Sequence, residues 1–365
     1  MVQGRFLPKK IHEFLHTKVL GQTEALEFIS VAIYKHIHHQ RAGNLLLIGN
    51  SGSGKTTIMN AIKAFYDSYE ELKVFRIMVI MNANMLGGED ESDVQCLRLF
   101  KAVENKARSI LGEEITAEQL KAYMENATIC LDEVDKISSR IAGKVNVAGL
   151  AIQQALLTIM EGETVHYETT LKKNGIAELI KIPIDTRGLL FVCGGAYEEL
   201  YDQVYSMVIS KEDKRQLKPQ MIIGREGKIR FESRFSLKEF LKFEDLFRYG
   251  MVPQFISRFN AAVVLNNLNK ENLKQIMLTA QDSPYCISRD YFQSMNIRLE
   301  LTEEAFDLIA EDAEENSRIG ARALREVFSR IITRFEFDPF DTGMLVQDGE
   351  KWILRIDENM VKSAI

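Results

Sequence analysis

Residues 45–57 read Leu-Leu-Leu-Ile-Gly-Asn-Ser-Gly-Ser-Gly-Lys-Thr-Thr, and the fold is decided there. Four consecutive apolar residues, Leu45 to Ile48, have the texture of a strand buried on both faces in a parallel sheet. Gly49 to Thr56 then spells GxxxxGKT, and helical sequence begins at Thr57. Gly49, Gly52 and Gly54 admit backbone conformations closed to other residues. The N–H groups of the loop, those of Asn50, Ser51 and Ser53 included, can therefore turn inward on an anion at a helix N-terminus. Lys55 would reach the β and γ phosphates of a nucleotide, and the Thr56 hydroxyl would hold Mg²⁺.

A second stretch bears on the same chemistry. Ala127 to Glu133, Ala-Thr-Ile-Cys-Leu-Asp-Glu, is an apolar strand that ends in two adjacent carboxylates. In a parallel sheet these lie at the carboxyl edge, beside the strand that carries the phosphate loop. Asp132 would hold Mg²⁺ through its waters, and Glu133 would polarise the attacking water.

The composition narrows the remaining classes. The 365 residues suffice for two domains with a sizeable core, and 46% hydrophobic with 27% charged residues is ordinary globular usage. Lys and Arg number 46 against 52 Asp and Glu, a formal charge of -6, so no overall basic field recruits nucleic acid. Cys96, Cys130, Cys193 and Cys286 form no CxxC pair and read as reduced core thiols. The N-terminus lacks the apolar segment of a signal peptide, and no run of eighteen apolar residues occurs, so a soluble cytoplasmic protein is expected.

Along the chain, helices are expected over Ile11–His16 and Glu24–His38. The second has His36, His38 and His39 at a partly exposed end that suits cations better than a metal. A strand over Lys73–Met81 leads into the polar, glycine-rich loop Asn82–Asp90, and helices follow from about Asp93 to Leu111 and from Thr116 to Met124. Ser138–Gly149 reads as a basic loop, Leu150–Met160 as a helix and Leu189–Cys193 as a buried strand. Alternating strands and helices imply a doubly wound parallel α/β sheet with its ligand at the carboxyl edge. The segment from about Tyr205 to Phe240 is polar and rich in Lys and Arg, a loop or β-hairpin inserted in the large domain. Beyond a strand at Ala261–Leu265 come a helix over Asn269–Ala280 and a strand over Ile297–Leu301. An acid-led helix from Thr302, a helix from Gly320 and a strand over Lys351–Ile356 complete the chain. The expected division is a large domain over 1–264 and a small α+β domain over 265–365.

With these motifs and this domain order, the chain resembles the AAA+ ATPases of the ClpX and HslU type, ClpX most closely, over about Leu7 to Pro339. Beside the two nucleotide motifs, the resemblance rests on Val19-Leu20-Gly21-Gln22, on Leu150 to Gly162 and on Cys193-Gly194-Gly195-Ala196. Tyr249 to Arg258 and Gly320-Ala321-Arg322 match in the same order. It implies an ATP-hydrolysing homo-oligomer, a hexameric ring, that unfolds or remodels protein substrates, with ATP and Mg²⁺ bound where the large and small domains of one subunit meet the large domain of the next. By the same resemblance Val19 and Leu20 belong to the adenine pocket, Arg258 is the arginine finger and Arg322 is the arginine that links nucleotide state to domain angle.

Four departures shape the expectations. Met85-Leu86-Gly87-Gly88 aligns with the substrate-gripping pore loop, with Leu86 in place of an aromatic residue. The zinc-binding N-terminal domain of ClpX has no counterpart, and the basic loop after the Leu150 helix is reduced to Glu163–Asp185. Ile223-Gly224-Arg225 puts a cation where the loop that docks on ClpP carries an aromatic residue, so docking on a ClpP-type protease is not expected. A nucleotide-gated assembly module without threading is the competing reading. An AAA+ DNA motor, suggested by the basic 205–240 segment, ranks third.

Overall fold

The computed structural model describes residues 5–87, 96–112, 115–141, 143–173, 176–210, 220–223, 229–232, 235–315, 320–349 and 351–364. Contacts divide the chain into two compact units. The first comprises residues up to 18, 24–49 and 55–265; the second comprises 19–23, 50–54 and 266 onward.

The first unit is built on five parallel strands: β1 (Asn44–Ile48), β2 (Met78–Asn82), β3 (Thr128–Asp132), β4 (Leu190–Gly195) and β5 (Phe259–Val264). Their order is β5-β1-β4-β3-β2. The neighbouring strands β1 and β4 send their outgoing connections in opposite directions along the sheet, to β2 and to β5. That divergence opens a crevice at the carboxyl end of β1, where the phosphate loop begins. Strands covered on both faces must be apolar throughout, and β4 is buried along its whole length while Leu46, Leu47 and Ile48 are fully enclosed. Cys130 and Cys193 are free and buried.

Local chemistry accounts for several differences from expectation. The Lys73–Met81 strand is shorter, because Glu70–Arg76 winds as 3₁₀ turns before β2. The Arg76 guanidinium folds back onto the carbonyls of Tyr66 and Tyr69 and holds Phe75 and Leu72 in the core. The Glu163–Asp185 segment is a long hairpin, Thr164–Lys173 against Ile176–Asp185, paired antiparallel residue by residue. Its alternation, with Tyr167, Thr169, Leu171, Ile182 and Ile184 buried, is the period-2 pattern of a sheet with one face on a core. Tyr205 lies in a helix, Glu198–Ile209. Farther on, Gln220–Ile223 pairs with Ile229–Glu232 as the hairpin expected there. Gly224 and Arg225 fall outside the described residues. His36 is buried, not exposed: its Nδ1 lies 3.1 Å from the Tyr66 hydroxyl, and burial lowers its pKa to about 3.

The second unit has a three-stranded sheet in which Lys351–Ile356 pairs parallel with Ile297–Leu301 and antiparallel with Leu345–Asp348. Four helices, Lys270–Thr279, Pro284–Ser294, Glu303–Glu315 and Arg322–Phe337, surround a core that includes Phe292, Ile309, Leu324, Phe328 and Leu354. The Pro284 helix is capped by the Ser283 hydroxyl and was not apparent from periodicity. No helix among the described residues is long and apolar enough to cross a membrane.

Candidate active site

The phosphate loop takes its shape from two glycines at positive φ, Gly52 at 75° and Gly54 at 100°, a region that residues with a Cβ enter only under strain. The helix after it, Lys55–Asp67, begins two residues before the expected start at Thr57. Lys55 is buried, and its ammonium donates to the Gly49 carbonyl at 2.5 Å, so the cation is tied back to the residue at which the motif begins.

Next to it stand the carboxylates at the end of β3. The Thr56 hydroxyl donates to Asp132 Oδ2 at 3.2 Å, and the Glu133 N–H donates to Asp132 Oδ1 at 2.8 Å. Glu133 has a φ of 56°, so the chain turns sharply at the residue expected to polarise water. Its carboxylate accepts a hydrogen bond from Asn82 Nδ2 at 3.1 Å and pairs with Lys136 at 3.0 Å. Asn82, the last residue of β2, was missed in the sequence. A polar residue at a strand's carboxyl end was the visible signal, but its neighbour depends on β2 pairing with β3, where Asn82 lies opposite Asp132.

The end of β4 closes this corner. A Cβ on Gly194 would fall 3.3 Å from the Lys55 side chain and 3.6 Å from Asp132 Oδ1, so the lysine stem and the carboxylate both pack beside this strand end. The Gly49 N–H donates to the Gly195 carbonyl at 3.2 Å, which ties the start of the phosphate loop to the same strand end.

Residues 50–54 pack within the second unit together with Val19–Thr23. Gln22 is buried; its amide donates to the carbonyls of Ser53 at 3.0 Å and Asn266 at 2.9 Å, and its carbonyl accepts from the Asn266 N–H at 2.9 Å. Val19 is buried and Leu20 half-buried. Gly320, at a φ of 57°, comes so close to the loop that a Cβ there would meet the Ser51 and Gly52 carbonyl oxygens at 2.8 Å, and the Ala321 N–H donates to the Gly52 carbonyl at 3.2 Å. Arg322, exposed itself, is the first residue of the helix Arg322–Phe337.

Two expected residues lie elsewhere. Arg258 precedes β5 at the amino end of the sheet, where its carbonyl accepts from Asn44 Nδ2 at 3.1 Å and its guanidinium pairs with Glu161. Leu86 differs from the expectation of an exposed pore contact: residues Ala83–Leu86 form a 3₁₀ turn that buries its side chain in the core with Val79, Leu99 and Ile152. Met85 points outward, 59% exposed. Gly87 is described and Gly88 is not.

A family model described as "AAA domain (Cdc48 subfamily)" matches residues 40–262. The chain belongs to the AAA family. Its curated relatives include the "ATP-dependent Clp protease ATP-binding subunit ClpX" of Treponema denticola, 28% identical over 349 residues, 91% of this chain and 77% of that protein. The protein of the same description from Porphyromonas gingivalis is 26% identical over 370 residues, 96% of this chain and 80% of that one. That of Borrelia duttonii is 27% identical over 358 residues, 92% and 75%. As a ClpX-like AAA ATPase, the chain binds ATP and hydrolyses it to ADP and phosphate.

Proposed function

We propose that the chain works as a homo-oligomeric ring, a hexamer, in which each ATP is cleaved by groups from two subunits, and that the ring uses this cycle to unfold or remodel a protein substrate without docking on a ClpP-type protease. The observation that carries the two-subunit reading is the register of β1 and β5. They run parallel with Asn44 opposite Phe259 and Ile48 opposite Val264. Arg258 therefore stands at the amino end of β1 and the phosphate loop at its carboxyl end, about 13 Å of strand apart before the loop adds its own length. An arginine needed at the γ-phosphate has to come from another copy.

The roles within one copy follow from the geometry. Lys55 neutralises phosphate charge, and Gly49 to Thr57 present N–H groups to it. Thr56 and Asp132, already 3.2 Å apart, are an oxygen pair of the hardness and spacing that suit Mg²⁺. Bound there, Mg²⁺ would neutralise charge on the β and γ phosphates. Glu133 draws a proton from the attacking water, with Asn82 fixing which way its carboxylate faces. Val19 and Leu20 line the adenine pocket, and Arg322 senses the nucleotide. Met85, Gly87 and Gly88 are what the loop after β2 offers to a polypeptide.

Mixing two variants tests the reading. Arg258→Ala and Glu133→Gln should each be inactive alone, and rings reassembled from both should recover turnover, because a subunit retaining Glu133 then meets a neighbour retaining Arg258. A mixture as inactive as its parents would overturn the shared site. The burial of Leu86 favours a second reading, a nucleotide-gated assembly that binds a partner without threading. An ATPase rate indifferent to added unfolded protein would select it.

A further inference from the structure

The carboxyl end of β4 lies beside the Lys55 side chain and Asp132, yet it consists of Gly194 and Gly195. The space above Gly195 is filled all the same. A Cβ built there would lie 2.7 Å from Asp135 Oδ1 and 2.5 Å from the Tyr197 ring. Asp135 reaches this spot from the 3₁₀ turn Val134–Ile137, directly after Glu133, and its Oδ1 accepts the Ala196 N–H at 3.2 Å. The two strand ends it joins both carry a left-handed residue, Glu133 at a φ of 56° and Tyr197 at 53°. Such conformations persist where surrounding contacts over-determine them.

We infer that Asp135 is a positioning residue for ATP hydrolysis: its carboxylate, seated on bare Gly195, latches the turn that carries Glu133 to the strand end that anchors Gly49. Without the latch, the Glu133 turn can relax away from the phosphate loop while the loop itself, tied by Gly49 to Gly195, stays formed. The effect therefore belongs to turnover and not to nucleotide binding. The inference rests on the proposed role of Glu133.

The test compares Asp135→Ala, Asp135→Asn and Gly195→Ala with wild type and Glu133→Gln, using steady-state ATPase kinetics, binding of a fluorescent ATP analogue and thermal melting on the assembled full chain. Asp135→Ala should lower kcat about 30-fold with KM and nucleotide affinity within about 3-fold, the signature of a displaced group and not of a lost binding site. Asp135→Asn keeps an oxygen acceptor for the Ala196 N–H and should recover most of that loss. Gly195→Ala should reproduce the kcat defect with Asp135 intact, because the methyl group displaces the carboxylate together with the Tyr197 ring beside it. The inference is overturned if Asp135→Ala retains kcat within about 2-fold, or if kcat, nucleotide affinity and melting temperature fall together in Asp135→Ala and Gly195→Ala alike. Glu133→Gln separates the two levels: if it turns over normally, the site reading fails, and if it is inactive while Asp135→Ala is normal, this inference alone fails.

Discussion

Glu104 and Glu133 are the same side chain put to opposite uses. Glu104, on the helix Cys96–Leu111, has no exposed surface, and its two oxygens are saturated. Tyr167 donates at 2.6 Å, Lys101 at 2.9 Å and Arg108 through Nε at 2.8 Å, and the Thr169 hydroxyl completes the set. Two of these donors come from the long hairpin, so the carboxylate fastens it to the helix. Glu133 stands at a strand end with 37% of its side chain exposed, on a strained backbone, held by Asn82 and Lys136. A carboxylate with all its lone pairs taken is a rivet. One held from the side and open to solvent can accept a proton.

The sharpest way to break this contrast is to remove each charge in turn. Glu133→Gln should cut ATPase turnover by at least about 100-fold, the typical worth of a general base. Its melting temperature should stay at the wild-type value, as checked by calorimetry. Glu104→Gln should do the reverse. Neutralising a buried carboxylate strands the donors around it, at a cost of about 2 to 3 kcal/mol to the first unit, while turnover per folded molecule is unchanged. If Glu104→Gln loses activity without losing stability, the two glutamates are not as different as their surroundings imply.

The acid limb sharpens the comparison further. Burial by itself raises the Glu104 pKa, but the hydrogen bonds from Thr169, Tyr167, Lys101 and Arg108 outweigh it and hold the group at about 2, against 4.5 for an unperturbed glutamate. A depressed folded-state pKa contributes stability that is complete above the unfolded value and is lost as pH falls through the folded one. The deficit of Glu104→Gln in denaturant titrations should therefore be constant above about pH 5 and shrink as pH approaches 2. A deficit independent of pH would mean that packing, not charge, fastens the hairpin.

The smallest pair of effects concerns the loop after β2. Leu86→Ala empties a core site and should cost about 2 to 4 kcal/mol. Met85→Ala, at an exposed position, should change stability by less than about 0.5 kcal/mol. Its expected effect is instead a loss of any stimulation of the ATPase by unfolded protein. If Leu86→Ala abolishes stimulation at full stability, the buried state of Leu86 is not the working one.

Much of the phosphate site was legible because its parts are consecutive in sequence. Strand, glycine loop, Lys-Thr and helix follow one another, and Asp132 and Glu133 end a strand whose apolar run announces its burial. The long hairpin was legible in principle from its alternation of buried and exposed residues, but its resemblance to a shortened basic loop hid the pattern. Leu86 was misjudged because an apolar residue in a glycine-rich polar segment reads the same whether it points to solvent or folds under.

The order of residues alone therefore determined the doubly wound class, the phosphate loop, the Lys-Thr pair that ends it and the acidic pair, since each depends on near neighbours along the chain. Tertiary structure decided which distant groups face them, Asn82 beside Glu133, Asp135 on Gly195, Gln22 against Ser53 and Gly320 against Gly52, and which do not, Arg258 standing at the other end of β1. The pairing of Asn82 with Glu133 and the distance of Arg258 arise from strand order and register, which are settled by how whole faces bury against one another, and the others from how loops pack. A single residue carries no mark of the partner that such packing will bring to it.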